Sequence, residues 1–475
     1  SIRWRIWLTR VLIERWMERQ GYYRSQYVAE NADNPDQRIQ QDVESFVTSS
    51  LSLSMGLLDA VVSLFAFSII LWNLSADLSV FGMDIPRAMV FLVYLYVIVA
   101  TVFAVKIGRP LIVLNFLNEQ LSAHFRYALV RLREYGESIA FYRGEGIERS
   151  NLLTRFADVI GNMWAIVFRS LKFQGFNLVI SQAAVVFPFI VQAPRLLSKQ
   201  ITLGDVMQTA QAFGQVEGAL SFFRQSYDEF SKYRAVINRL SGFMDSMDAA
   251  EQLPTAQLEA ASGRLSLSDL TVKTPTAALL VSGLSFTLPE AASLLIRGKS
   301  GVGKTTLLRA VAGLWPYVAG KVARPLDEQA LFLPQKPYLP LGSLRQALYY
   351  PASAEPGARA EEVLRQCHLA HLVSQLDVEG DWARILSLGE QQRLAIGRVL
   401  LNRPQVVFLD EASSAMDEGL EYAMYKLLRQ SLPDAILVSV GHRSSLFEFH
   451  TQELELLGEG KWRLHDLPPP ATSVA

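Results

Sequence analysis

The 475-residue sequence is 50% hydrophobic, with a mean hydropathy of +0.18, which is high for a soluble protein and calls for a membrane portion within two to four domains. Lys plus Arg number 45 against 46 Asp plus Glu, so there is no basic surplus of the kind nucleic-acid binding needs. The single cysteine, Cys367, excludes an internal disulfide, suits a reducing compartment, and joins no Cys/His cluster with metal-ligand spacing.

The first ten residues lack both the apolar run and the cleavage site of a signal peptide, and the chain does not start with Met. Residues 1–48 carry seven arginines, with Trp4, Trp7, Leu8, Val11 and Leu12 at helical spacing between them. This reads as a basic helix for a membrane surface or nucleic acid, or, the favoured reading, as the cytoplasmic extension of a membrane helix packed on its neighbours. At Asn34-Pro35-Asp36-Gln37 a short helix is expected, with Asn34 as N-cap, Pro35 in the first turn and Gln37 closing a capping box.

Three stretches can span a bilayer: residues 51–74, with Asp59 as their one charge, and the uncharged stretches 88–105 and 173–194. Ten basic residues lie between Lys106 and Lys172, whereas the loop before residue 88 holds only Asp77, Asp84 and Arg87. That asymmetry places residues 1–48 and 106–172 in the cytoplasm. Residues 200–223 contain Asp205 and Glu217, and put Gln208, Gln211 and Gln215 opposite Leu203, Val206, Ala210 and Phe213. A helix of that kind crosses a membrane only with its polar side toward a cavity or the bundle interior, so a pore-lining fourth span is expected. Asp59 and Glu217 are either functional charges or residues facing a cytoplasmic vestibule. A helix leaves the membrane over 225–247, residues 248–263 form a linker, and from 264 short apolar runs alternate with helical stretches as in an α/β domain. The Pro-rich tail, 466–475, is expected to be disordered.

Within that α/β region an apolar run, 292–296, leads into RGKSGVGKTTLLR at 297–309. Gly298, Gly301, Gly303, Lys304 and Thr305 have the spacing of a phosphate-cradling loop, in which successive amides and a helix N-terminus face phosphate oxygens. Gly298, Ser300, Gly301, Gly303, Lys304, Thr305 and Thr306 are the candidate ATP contacts. Downstream, Val406-Val407-Phe408-Leu409-Asp410-Glu411 is a buried-strand pattern ending in two acids. Asp410 would join Thr305 around Mg²⁺, and Glu411 would polarise the attacking water. Such a domain works on cytoplasmic ATP, and three spans would strand it outside the cell, which is why 200–223 must cross.

Leu386-Ser387-Leu388-Gly389-Glu390-Gln391-Gln392-Arg393 offers a second anion site at a helix start. It resembles the LSGGQ signature of ABC ATPases. Gln335 after Leu333-Pro334, Ser414-Ala415-Met416-Asp417 after the acids, and His442 resemble the Q-, D- and H-loops of the same ATPases. The stretches 312–316, 332–338, 342–345 and 381–382 resemble the YddA-like, SbmA/BacA-related branch of ATP-binding permeases, akin to the peroxisomal subfamily D acyl-CoA half-transporters. Residues 34–38 and 137–142 resemble that branch's cytoplasmic membrane-domain segments.

The resemblance implies an α-helical, exporter-like transmembrane domain over 1–247 followed by an α/β ABC nucleotide-binding domain over 264–465. It implies a half-transporter that pairs with a second copy as a homodimer in a bacterial inner membrane, multi-pass, with the ATPase domain cytoplasmic. Membrane lipid, a transported solute and no nucleic acid are the expected partners. Glu411, His442 and Gln335 would be catalytic; Ser387, Gly389, Glu390 and Asp417 would complete the ATP site across the pair; Thr305, Gln335 and Asp410 would hold Mg²⁺. Residues 34–42 and 137–148 would pass motion between domains. The branch handles peptides, cobalamin-like molecules or acyl-CoA esters. Family members have six spans per half against four here, so two N-terminal helices are expected to be missing from the sequence. Residues 270–278 also lack the aromatic on which many such domains stack adenine. An alternative function is a membrane-bound ATP-dependent regulator or sensor that does not pump; a soluble ABC-type ATPase is disfavoured by the spans.

Overall fold

The computed structural model describes residues 1–28, 34–75, 78–80, 83–85 and 87–467. Of the tail expected to be disordered, 466–475, residues 468–475 lie outside the described residues, as does Asp77, whereas Asp466 is the last residue of a strand. The chain divides into two compact units: one holds Ser1–Glu18 and Glu30–Met247, the other Arg19–Ala29 and Asp248–Ala475.

The first unit is helical. Three of its helices, Pro35–Leu74, Ala88–Glu134 and Glu145–Leu197, are long and apolar enough to cross a membrane. At ~1.5 Å rise per residue, the 47- and 53-residue helices run to roughly 70 and 80 Å, more than twice the ~30 Å of bilayer hydrocarbon, so each continues well beyond it. Their apolar side chains divide between two surroundings. Leu71, Met89, Val93, Ala184, Phe213 and Val216 form an internal core, while Phe65, Phe91 and Ile98 stay more than half exposed on the single chain, as lipid- or partner-facing residues do. Pro110 removes one rung from the ladder of Ala88–Glu134, and Arg169 of the facing helix donates its Nε to the nearby Ile107 carbonyl at 3.0 Å.

Leu203–Gln225 is a helix, and Gln208, Gln211 and Gln215 lie on its exposed face. Its buried stripe is Val206, Thr209, Ala212, Phe213, Val216 and Glu217, whereas Leu203 is exposed. Asp205 does not lie within the span's middle. It forms the capping box with Thr202 at the helix start, an N-terminal acid where the helix dipole favours one. The box expected at Asn34 is absent: Asn34 is left-handed (φ 52) with no side-chain cap, and Gln37 bonds onward to Gln41. Pro35 does open the helix, which continues through a π turn at Arg38–Asp42 into Val43–Leu74. Asp42 is buried there between Arg38 (2.7 Å) and Arg239 (2.6 and 2.9 Å). Each buried carboxylate oxygen is thereby matched by a guanidinium donor.

The second unit is α/β. A six-stranded sheet runs in the order Lys461–Asp466, Gln452–Gly458, Ser293–Gly298, Ile436–Val440, Val406–Asp410, Ala330–Leu333, parallel except for its first pair. The strands Val406–Asp410 and Ile436–Val440 bury nearly every residue, which is why they read as unbroken apolar runs rather than alternating ones. A second sheet orders Gln257–Ala260, Val318–Arg324, Arg264–Lys273 and Leu279–Pro289. Its first strand occupies part of the stretch expected to be linker. One apolar core joins the two sheets through Leu265, Val281, Leu294, Leu307, Phe408 and Val438; Phe332 and Phe408 stack at 4.1 Å on adjacent strands. Another gathers the helices on the far face around Trp382, Leu394 and Tyr425.

Candidate nucleotide site

Four neighbouring parallel strands end at one edge of the six-stranded sheet, and each passes directly into a residue of interest. Ser293–Gly298 leads to the phosphate loop, Ile436–Val440 to His442, Val406–Asp410 to Glu411, and Ala330–Leu333 to Gln335. With strands ~4.8 Å apart, groups up to 138 positions apart in sequence reach one crevice at the carboxyl ends, where open α/β sheets bind ligands.

The loop's geometry requires its glycines. Gly298 has φ 147, and a Cβ there would stand 2.6 Å from the Leu456 carbonyl oxygen of the adjacent strand. Gly303 (φ 108) opens the helix Lys304–Ala312 in a left-handed conformation that any side chain would strain. Lys304 is buried, and its ammonium donates to the carbonyls of Gly298 (2.9 Å) and Lys299 (3.2 Å), which anchors the cation over the loop. Thr305 donates to Asp410 Oδ1 at 3.1 Å. Burial pushes the Asp410 carboxyl above its ordinary range, helped by the neighbouring Glu411 and opposed by Thr305, Arg309 and Lys304. A hydroxyl beside a half-buried carboxylate is an oxygen donor set that fits a hard divalent cation such as Mg²⁺.

Glu411 is the hub of the crevice. It adopts φ 50, unusual for a non-glycine residue, and its amide is held by the Val440 carbonyl at 3.2 Å. One carboxylate oxygen accepts from Gln335 Nε2 at 3.2 Å, and the other lies 3.6 Å from His442 Nε2. Lys304, Thr305, Asp410, Glu411, Gln335 and His442, all named from sequence, are thus brought together.

The signature residues form a separate group. Ser387 caps the helix Leu388–Asn402, and Glu390 closes the box by accepting from the Ser387 amide (2.9 Å) and hydroxyl (2.7 Å). His371 lies 2.9 Å from the other Glu390 oxygen. Partial burial works against the charge on Glu390, but these hydrogen bonds outweigh it and hold the carboxyl below its usual value. Glu390 is therefore committed to its own helix cap instead of being turned outward. A Cβ on Gly389 would meet the Ala415 carbonyl at 3.0 Å, so the glycine lets the loop after Glu411 pack on the signature turn. Asp417 caps the helix Glu418–Ser431 through Leu420 N at 2.8 Å. Among the described residues no hydrogen bond joins Ser387, Gly389 or Glu390 to the phosphate loop.

Two contributors escape a motif-level reading. Gln392, fully buried, donates to the Gln335 carbonyl (2.8 Å) and the Ser414 hydroxyl (3.2 Å), and accepts from the Ala415 amide (3.0 Å). It ties the turn bearing Gln335 to the loop after Glu411; its one sequence signal is a polar residue opening the buried face of an apolar helix. The other is Arg19–Tyr27, which folds with the ATP-binding unit although it lies far away in sequence. Arg19 pairs with Glu251 at 2.6 Å, Arg24 donates to the Leu253 carbonyl, and Tyr27 packs edge-on against Trp315 and Tyr317. Trp315 donates to the Lys273 carbonyl at 2.8 Å. Aromatic side chains thus reach the end of the strand Arg264–Lys273 from elsewhere in the fold. Both segments expected to relay motion, 34–42 and 137–148, belong to the first unit; residues 19–28, for which the sequence suggested no such role, belong to the second.

Comparison with known proteins agrees with this geometry. Residues 1–197 match the family model described as ABC transporter transmembrane region 2, and residues 281–414 the one described as ABC transporter. An uncharacterized ABC transporter ATP-binding protein of Haemophilus influenzae is 51% identical, the match covering 98% of this chain and 78% of that one. The inner membrane ABC transporter ATP-binding protein YddA of Escherichia coli is 33% identical over 94% of this chain and 80% of its own, and ABC transporter D family member 2, chloroplastic, of Arabidopsis thaliana is 34% identical over 98% and 76%. Among solved structures, a bacterial Atm1-family ABC exporter with ATP bound superposes with a TM-score of 0.73 at 18% identity, over 98% of this chain and 82% of that one, a likeness of fold. The chain belongs to the ABC transporter family, as a half-transporter that joins a helical membrane domain to an ATP-binding domain with ATPase activity.

Proposed function

We propose that two copies of this chain pair in a bacterial inner membrane and that ATP hydrolysis between them drives a solute through the paired helices. The observation that carries the reading is the convergence of Gln335 and His442 on Glu411 beside the Lys304–Thr305–Asp410 set. Lys304 and the loop amides bind the phosphates, Glu411 orients the attacking water, Gln335 and His442 hold Glu411 in place, and Ser387 and Gly389 of a second copy close the site. The separation of the signature group from the phosphate loop within one chain supports that composite arrangement. Mg²⁺, held by Thr305 and Asp410 with Gln335 nearby, would neutralise charge on the phosphates.

The arginine- and lysine-rich 106–172 block supports a cytoplasmic orientation, and the relative named as an inner membrane protein supports the location. The test is flux: the protein in sealed proteoliposomes, loaded in turn with peptide, cobalamin-like and acyl-CoA solutes, with and without external Mg²⁺·ATP. ATP-dependent movement of one class supports pumping and names the cargo. ATP turnover that no solute accompanies or stimulates turns the reading toward an ATP-dependent regulator.

A further inference from the structure

Behind the sheet edge lies a buried polar cluster that the proposed hydrolytic scheme does not use. Its centre is Glu421, on the helix Glu418–Ser431, with a side chain only 4% exposed. One carboxylate oxygen accepts from the Ser413 hydroxyl at 2.5 Å. Ser413 stands two residues after Glu411, in the loop that runs on to Asp417. The other oxygen accepts from the Ser445 hydroxyl at 3.3 Å and faces the Arg443 guanidinium at 3.3 Å. Arg443 and Ser445 stand one and three residues after His442. Arg443 Nη1 makes an ion pair with Glu421 without hydrogen-bond geometry, while its Nη2 donates to the Met416 carbonyl at 2.8 Å, back in the loop after Glu411. One buried carboxylate and one arginine therefore cross-link the two loops on which Glu411 and His442 are mounted.

The cluster continues inward. Buried Tyr425 packs edge-on against His450, ring centroids 5.9 Å apart, and Ser439 lies 2.8 Å from His450 Nε2. His450 Nδ1 faces the Leu446 carbonyl at 2.6 Å, and burial lowers its pKa to about 4, so the ring is neutral, donates to Leu446 and accepts from Ser439. The network thus reaches the strand Ile436–Val440 that delivers His442. A carboxylate stripped of water is costly unless every donor around it is aimed. That cost makes the arrangement stiff: displacing either loop would leave the buried Glu421 carboxylate unmatched.

We propose that Glu421 is a positioning residue for ATP hydrolysis, fixing the loop after Glu411 against the loop after His442 so that the two side chains keep their mutual geometry. The proposal rests on the hydrolytic reading above. Glu421 does not touch nucleotide; its effect falls on turnover and not on binding.

The test compares full-length wild type, Glu411→Gln, Glu421→Gln and Ser445→Ala in lipid nanodiscs, measuring kcat and KM for Mg²⁺·ATP, equilibrium ATP affinity, and Tm. Glu421→Gln is expected to lower kcat at least tenfold while ATP affinity and KM stay within about twofold of wild type. Ser445→Ala, which removes one arm of the clamp and no buried charge, is expected to lower kcat severalfold at unchanged Tm, and to add little when combined with Glu421→Gln. If both variants keep wild-type kcat, or if affinity, Tm and kcat fall together, the positioning role is wrong. Should Glu421→Gln fail to fold, Ser445→Ala with unchanged kcat refutes it alone. Wild type turning over no faster than Glu411→Gln overturns the hydrolytic reading, and this inference with it.

Discussion

The pair Thr305 and Asp410 shows how a single side chain's environment makes a prediction. Burial raises the Asp410 carboxyl, so the native state binds its proton more tightly than the unfolded chain does. Its contribution to stability is therefore present at low pH and lost as pH rises through the folded-state pKa. Asp410→Asn mimics the neutral form. Its Tm at pH 7 without nucleotide should equal or exceed that of wild type, while the added stability from Mg²⁺·ATP should vanish; a lower Tm, or a retained Mg²⁺·ATP shift, contradicts the placement. Glu390 has the opposite sign. Its depressed carboxyl stabilises the fold above the ordinary carboxylate range, and that contribution disappears as pH falls through its folded value. The Tm gap between wild type and Glu390→Gln should accordingly shrink as the pH is taken below ~4. Ser387→Ala should cost about 1 kcal/mol as a lost helix cap, or roughly 2–4 °C, in a thermal melt. Lys304, Thr305, Asp410 and Glu411 were legible in the sequence because phosphate loops and acid-ended strands carry their backbone requirements in the spacing of glycines and apolar residues. Gln392 and Glu421 were not, because each draws its meaning from loops that meet only in three dimensions.

At the scale of elements, the strands and long helices follow from residue patterns, and the departures have local causes. Asn34 was expected to cap a helix, but the chain enters Pro35 from a left-handed residue and leaves through a π turn, so the side chain never faces the free amides. Asp205, one of the two charges in the stretch expected to be a pore-lining fourth span, sits at the helix end where an acid is favoured. The segment Arg19–Tyr27 is the one whose location the sequence hid most completely. Its arginines read as part of the cytoplasmic extension of a membrane helix, whereas Arg19, Arg24 and Tyr27 fasten it to Glu251, Leu253 and Trp315 of the second unit. If this segment relays nucleotide state, Tyr27→Ala should leave ATP affinity within about twofold and reduce solute-stimulated ATPase severalfold, since it removes two edge-to-face contacts of about 0.5–1.5 kcal/mol each. Full stimulation in that variant, measured in proteoliposomes, removes the segment from the relay.

For the whole molecule, the near-neutral net charge of −1 and the high hydrophobic content follow from a membrane bundle joined to a soluble ATPase. A phosphate loop and a signature group that stay apart within one chain are the two halves that the proposed pairing with a second copy would bring together. The central claim is that this chain hydrolyses ATP through Glu411, and the most direct measurement is steady-state ATPase activity of the full-length protein in lipid nanodiscs beside Glu411→Gln. The account predicts Mg²⁺-dependent turnover in wild type and a fall of at least a hundredfold in Glu411→Gln, which still binds ATP. Equal turnover in the two proteins, or wild type that binds ATP without Glu411-dependent hydrolysis, would contradict it.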